Sequence, residues 1–218
     1  MSSGPLRWYG PSVTAVRWLL GVQYLCSGLG WWISMLPFPN VWNWSHFPQK
    51  HPVAGAMIET GWMYHLAKAT EVATGLALVT DQFAALMLVV SMPVALTTFL
   101  LDAMIGQTVQ DWIAGRASNL AMWHKFLDLV YFGGAVLAMQ GYLMVAYLDH
   151  YRPMLARKAR IMEAVQAPNE VSPLAKGFLI AFAVLALFLG LTSTPWMVGM
   201  INQWAIPWSS LSLLAPPH

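Results

Sequence analysis

Charged side chains are scarce in this sequence. Lys, Arg, Asp and Glu make up 9% of its 218 residues, whereas an ordinary soluble domain carries about 25%. A soluble protein of this size needs more charge than that to cover its surface. The apolar content excludes a disordered chain, and a net charge of +2 is too small for nucleic-acid binding through a basic patch. The single cysteine, Cys26, excludes an internal disulfide and does not report the redox compartment.

Apolar residues, by contrast, make up 58% of the chain. A helix needs about 20 mostly apolar residues to cross a bilayer, and the first apolar stretch has no A-x-A-like cleavage site, so we expect it to be retained. The Ser193-Thr194-Pro195 segment should end or kink the last stretch. The pattern predicts an all-α membrane protein, with four spans and a peripheral C-terminal segment as the alternative to five. The five predicted spans are 13–36, 62–80, 82–105, 122–148 and 174–191.

The distribution of Lys and Arg predicts the orientation. Basic residues concentrate between the fourth and fifth spans, and loops rich in Lys and Arg stay in the cytoplasm. The N-terminus is therefore expected inside and the C-terminus outside, with loops 37–61 and 106–121 also outside.

Tryptophans cluster on the outer side, where indole rings favour the headgroup level, so we interpret them as an interfacial belt rather than a ligand-stacking site. They are Trp31, Trp32, Trp42, Trp44, Trp62, Trp112, Trp123, Trp196, Trp204 and Trp208.

Ionisable residues inside the spans are functional candidates, because a charge at membrane depth is costly unless it is paired or hydrated. In the second span they recur every three residues and so share one face of the helix. In the third and fourth spans they fall near the outer ends, while the inner halves are almost free of charge. The sequence therefore predicts a polar cluster in the outer half of the bilayer. Its members are His65, Lys68, Glu71, Asp102, His124 and Asp128.

This polar cluster has three interpretations. It is either a structural network, in which Lys68 neutralises Glu71 or Asp102, or a pocket for a quinone headgroup. In the pocket, His or Lys would donate to the carbonyls and Glu71 or Asp128 would relay protons. A haem or chlorin held by His65 or His124 is less favoured, because no C-x-x-C-H motif is present. Metal-ligand spacing and complete catalytic sets are absent from the sequence, so no catalytic residue is assigned.

Small residues in the spans predict close helix packing. Gly21 and Gly28 in the first span and Gly75 in the second permit close backbone approach, as does Gly133 in the fourth. Pro93 should kink the third span, and Thr97 or a neighbouring hydroxyl is expected to satisfy the carbonyl that it frees.

Two stretches resemble the DoxX-like family of small bacterial membrane proteins. The first is Arg17-Trp18-Leu19-Leu20-Gly21, followed by Ser27-Gly28. The second is Ala69-Thr70-Glu71-Val72-Ala73-Thr74-Gly75-Leu76-Ala77-Leu78. The resemblance implies a transmembrane four-helix bundle over residues 1–148. Residues 149–173 then form an added basic cytoplasmic loop, and 174–218 a fifth transmembrane helix with an aromatic, proline-rich outer tail.

The resemblance also implies a role in membrane redox chemistry, since family members have been linked to a thiosulfate:quinone oxidoreductase. The long aromatic outer loop and the added helix favour an accessory or anchoring subunit of a larger redox or energy-transducing complex in the bacterial inner membrane. Its expected partners are lipids and other membrane subunits or further copies of itself, and not nucleic acid. The alternative is a quinone-interacting oxidoreductase subunit. A transporter is less favoured, because inverted repeats are absent.

Overall fold

The structure, a computed structural model, describes residues 9–33, 51–103, 105–148, 150–151 and 173–195. Throughout these ranges the regular secondary structure is helical, which confirms the all-α prediction. The helices are α1 (Tyr9–Leu29), α2 (His51–Glu59), α3 (Met63–Thr80), α4 (Ala84–Ala103), α5 (Ile105–Ile113), α6 (Asn119–Asp128), a π-helical segment (Leu129–Gly134), α7 (Ala135–Ala146) and α8 (Pro173–Pro195).

The long helices pack in a closed ring of neighbours. Helix α1 packs on α3, α3 on α4, α4 on the π segment and α7, and α7 back on α1. Helix α8 lies against α1 and α7 on the outside of this ring. Gln23 of α1 bonds Ser193 of α8, and Gly190 approaches Leu19, so α8 runs in the same direction as α1.

Within the described residues, three stretches of helix are long and apolar enough to cross a membrane, which fits a membrane protein. They are Ala84–Ile113, Leu129–Ala146 and Lys176–Thr194, with mean hydropathies of 2.2, 1.6 and 2.1. They correspond to the third, fourth and fifth predicted spans. Helices α1 and α3 are not among them, and α3 carries Lys68 and Glu71, which lower its hydropathy.

A layer of large apolar side chains fills the middle of the ring. Leu20 of α1, Leu78 of α3, Leu88 of α4 and Met139 of α7 are completely buried and belong to one cluster. Other leucines and aromatic residues of the same helices point outward and are exposed, which is the arrangement expected of helices surrounded by lipid. Side-chain packing thus closes the bundle between its two ends.

Glycine brings α1 and α3 unusually close, as the sequence predicted. A Cβ added to Gly28 would lie 2.6 Å from the Val72 side chain and 2.9 Å from the Lys68 carbonyl oxygen. A Cβ added to Gly75 would lie 2.8 Å from the Gly21 carbonyl oxygen. These distances are shorter than side chains tolerate, so only glycine permits this spacing between the two helices.

Several boundaries differ from the prediction. Helices α2 and α5 lie in the predicted outer loops 37–61 and 106–121, because nine-residue helices are too short for a criterion based on long apolar runs. Helix α6 begins at Asn119, three residues before the predicted fourth span, and α8 extends to Pro195. Helix α4 continues through Pro93, and the Thr97 hydroxyl donates to the Pro93 carbonyl at 2.8 Å. Nearly all of the predicted basic loop and the outer tail after residue 195 lie outside the described residues.

Candidate functional site

The Lys68–Glu71 ion pair is the centre of the predicted polar cluster. Lys68 Nζ lies 2.9 and 3.2 Å from the two Glu71 carboxylate oxygens, and it also donates to Ser27 Oγ at 3.0 Å. The side chains are only 13% and 8% exposed. The ammonium thus has three oxygen partners, as a buried charge requires. The pair matches the structural-network interpretation in which Lys68 neutralises Glu71.

The backbone geometry of α1 and α3 explains how this pair forms. Lys68 and Glu71 are three residues apart on α3 and therefore lie on the same face. Ser27 reaches Lys68 because its neighbour Gly28 lets α1 approach the Lys68 backbone. The ammonium lies 5.6 Å from the centre of the Tyr64 ring, which adds a cation–π contact.

A layer of neutral polar side chains lies next to the ion pair, and the sequence analysis missed it. Tyr24 donates to Gln140 Oε1, while Gln140 Nε2 donates to the Leu88 carbonyl at 2.7 Å and to Ser91 Oγ at 3.2 Å. Tyr24 lies three residues before Ser27 and so shares its face of α1. These groups are nearly or completely buried and link α1, α4 and α7. A glutamine in an otherwise apolar stretch of α7 was the available signal.

A second glutamine attaches α8 to α1. Gln23 Nε2 donates to Ser193 Oγ at 2.6 Å and to Thr194 Oγ1 at 3.1 Å. Both hydroxyls in turn face the Gly190 carbonyl, at 3.3 and 2.7 Å. The Ser-Thr pair that was expected to end or kink the helix therefore also binds α8 to α1.

His65 does not join the ion pair. Its ring is exposed, and its Nδ1 accepts from the indole Nε1 groups of Trp31 and Trp32, each at 3.2 Å. The Trp32 ring stacks on His65 with the centroids 6.1 Å apart, and the Trp31 ring meets it edge-on at 5.7 Å. Trp31 also lies 4.5 Å from the Tyr64 ring. The histidine therefore belongs to an aromatic group at the end of the bundle.

Asp102 lies in a third place. It is 1% exposed, and its Oδ2 accepts from the backbone N–H of Gly133 at 2.8 Å. Gly133 belongs to the π segment, where the regular helical hydrogen bonding is interrupted. The carboxylate thus supplies an acceptor to an irregular stretch of backbone. A Cβ on residue 133 would lie 2.7 Å from Asp102 Oδ2, so glycine is needed here as well.

The two remaining members of the predicted cluster are His124 and Asp128. Their backbones belong to α6, and their side chains lie outside the described residues. Lys125, between them in sequence, is buried. No group of three or more His, Cys, Asp and Glu side chains that is suited to a metal ion occurs in the described part of the chain.

An ion pair also occurs at the opposite end of the bundle. Arg17 of α1 pairs with Asp81, which ends α3 in a left-handed conformation, and the Tyr147 hydroxyl donates to Asp81 Oδ1 at 3.1 Å. Hydrogen bonding by Arg17 holds the pKa of the Asp81 carboxyl below its ordinary value of 3.8. The sequence did not predict this pair, because Asp81 falls in a turn and not in a span.

Comparisons with protein-family models, with curated proteins and with solved structures gave no match to this chain. Function is therefore inferred from the residues and from their geometry.

Proposed function

We propose that this chain is an accessory or anchoring subunit of a larger membrane complex, with five transmembrane helices and an extracytoplasmic C-terminus in a bacterial inner membrane. The observation that supports this proposal is that the Lys68 ammonium has three hydrogen-bond partners within the protein. Lys68 bonds both Glu71 oxygens and Ser27, so this largely buried pair holds α1 to α3. A charge with its hydrogen bonds made inside the protein has a structural role without any substrate.

The packing of α8 supports the same proposal. Gln23 and the Ser193-Thr194 pair fix this helix against α1, while its other face exposes large apolar side chains such as Phe188 and Leu191. An additional helix that is firmly attached on one side and apolar on the other suits packing against another membrane subunit.

Purification from the source membrane in a mild detergent tests this function. We expect the chain to migrate as part of a larger assembly, with stoichiometric partner subunits visible after denaturation. A Gln23→Leu variant, which loses both bonds to α8, should release partners at lower detergent concentration than the wild type. Isolation of a monomer without co-purifying protein under all mild conditions would contradict the proposal.

Our second candidate function is a quinone-interacting subunit, and the hydrogen bonding of His65 favours it. Because Nδ1 accepts from Trp31 and Trp32, a neutral imidazole carries its proton on Nε2. This leaves a ring N–H donor on an exposed histidine among aromatic side chains, and a quinone carbonyl needs such a donor. Helix α3 would present this donor at the outer edge of the bundle.

Quinone binding to the purified protein, measured by equilibrium titration with a short-chain ubiquinone analogue, tests this second function. His65→Ala should lose most of the binding, and Glu71→Gln should also weaken it if the ion pair assists. His150→Ala is the matched control, because His150 is an exposed histidine that packs on Tyr147 instead. Wild-type affinity in both His65→Ala and Glu71→Gln would exclude the quinone function.

A further inference from the structure

The hydrogen bonds at His65 require one particular protonation state. Trp31 Nε1 and Trp32 Nε1 both donate to Nδ1 at 3.2 Å. An indole has no acceptor, and an imidazole nitrogen that carries a proton is a donor only. These contacts, which we term the His65 clasp (Trp31, Trp32 and His65), therefore exist only while Nδ1 is unprotonated.

The His65 clasp joins two helices at the end of the bundle. Trp31 and Trp32 lie in the turn that follows α1, where their backbone N–H groups bond the carbonyls of Gly28 and Leu29. His65 lies in the first turn of α3. The clasp thus ties the end of α1 to the beginning of α3, above the Gly28 contact between the two helices.

We propose that the His65 clasp is a pH-sensitive switch: protonation of Nδ1 converts it from an acceptor into a donor and breaks the hydrogen bonds from Trp31 and Trp32. Histidine is the side chain whose charge ordinarily changes between about pH 5 and pH 8. The His65 ring is exposed, so protons from the aqueous phase reach it without any opening of the bundle. While Nδ1 is unprotonated, the two indole N–H groups share its lone pair. A single protonation therefore removes the acceptor of both hydrogen bonds.

The charged groups around the clasp lie on its own helix and on the helices packed against it. On its own helix, Lys68 and Glu71 neutralise each other. The described part of the turn after α1 contributes the neutral indoles. Helix α2, which packs on α3, carries His51 and Glu59, and the His51 side chain lies outside the described residues. On α4 the charge at this end is Asp102, which is buried and bonded to Gly133.

The switch depends on neither of the two proposed functions, and its test needs no substrate. The protein, labelled with ¹⁵N in the indole nitrogens, is examined by NMR in detergent micelles between about pH 8 and pH 5. The chain has 12 tryptophans, and their 12 indole signals can be resolved in one spectrum. The signals of Trp31 and Trp32 are identified by their absence in the Trp31→Phe and Trp32→Phe variants. We expect both signals to shift together in one titration step. Once His65 is protonated, their N–H groups should exchange with water roughly 2- to 12-fold faster than those of the His65→Gln variant at the same pH, the equivalent of one lost hydrogen bond each.

His65→Gln is the decisive variant, because glutamine keeps an acceptor oxygen and does not titrate. In this variant the Trp31 and Trp32 signals should be independent of pH, and exchange rates are compared with the wild type at equal pH. His150→Gln should leave the wild-type titration intact. Each single Trp→Phe variant should preserve the titration of the other indole, which tests the idea even if His65→Gln does not fold. Indole signals that do not titrate in the wild type, or that still titrate in His65→Gln, would overturn the proposal.

Discussion

The Lys68–Glu71 pair gives the sharpest test of whether the polar cluster is structural. The two side chains are 13% and 8% exposed and meet at 2.9 Å, so they belong to the class of buried ion pairs. Removing one member of such a pair leaves an unpaired buried charge and costs about 3–5 kcal/mol. Lys68→Met and Glu71→Leu should therefore each lower the free energy of unfolding by roughly that amount.

The double variant should behave differently from the sum of its parts. Replacing both charges with apolar side chains of similar size removes the desolvation penalty together with the attraction. Such replacements are often neutral or stabilising by about 1–4 kcal/mol. Ser27 loses its lysine partner but can still bond a carbonyl of its own helix. We therefore expect Lys68→Met combined with Glu71→Leu to recover wild-type stability and the ability to assemble with partner subunits.

The assay is unfolding in mixed micelles by increasing SDS, followed by helical circular dichroism for the wild type, both single variants and the double variant. The exposed pair Asp111–Arg116 provides a matched control, because its atoms also meet at 2.8 Å while its side chains are 37% and 67% exposed. A double-mutant cycle on Asp111 and Arg116 should give a coupling energy of about 0–1 kcal/mol. Equal coupling energies for the two pairs would refute the assignment of Lys68–Glu71 as buried. Recovered stability with lost assembly would instead indicate a functional role for the charges.

Three further predictions concern contacts elsewhere in the bundle, each measured by the same unfolding assay. Gly75→Val should cost about 1–3 kcal/mol by forcing α1 from α3, whereas Gly177→Ala in α8, which meets nothing within 4 Å, should not destabilise. The lowered pKa of Asp81 means that its pairing with Arg17 contributes stability above pH 3.8, lost as the pH falls through the lowered value; Asp81→Asn should abolish this acid-dependent loss, which is modest because the side chain is half exposed. Asp102→Ala should cost about 1–3 kcal/mol by leaving the Gly133 N–H without this acceptor, and Asp102→Asn should cost less.

The sequence determined the helical class because long apolar runs admit few alternatives. A run of about 20 apolar residues has to satisfy its own backbone in lipid, and a helix does so without neighbours. The third, fourth and fifth predicted spans therefore coincide with the apolar helices of the structure. The role of Gly28 and Gly75 was also predictable, because small residues on facing helices have few other uses in a membrane.

Which polar side chains meet was decided by the tertiary structure alone. Spacing placed Lys68 and Glu71 on one face of α3, but the rotation of α1 about its own axis determined that Ser27 completes the pair. Asp102 was expected in the same cluster, yet it bonds Gly133, because an irregular π segment in the neighbouring helix needs an acceptor there.

The contacts of neutral polar residues were the hardest to predict from the sequence. Gln23 and Gln140 carry no charge, so a search for costly side chains passes over them, although their hydrogen bonds join four helices. The apolar surface of each helix can be predicted from its own sequence, because the hydrophobicity of a single residue decides whether it favours burial or lipid exposure. A hydrogen bond depends on two residues that are distant in sequence, and only the packed chain brings the two together.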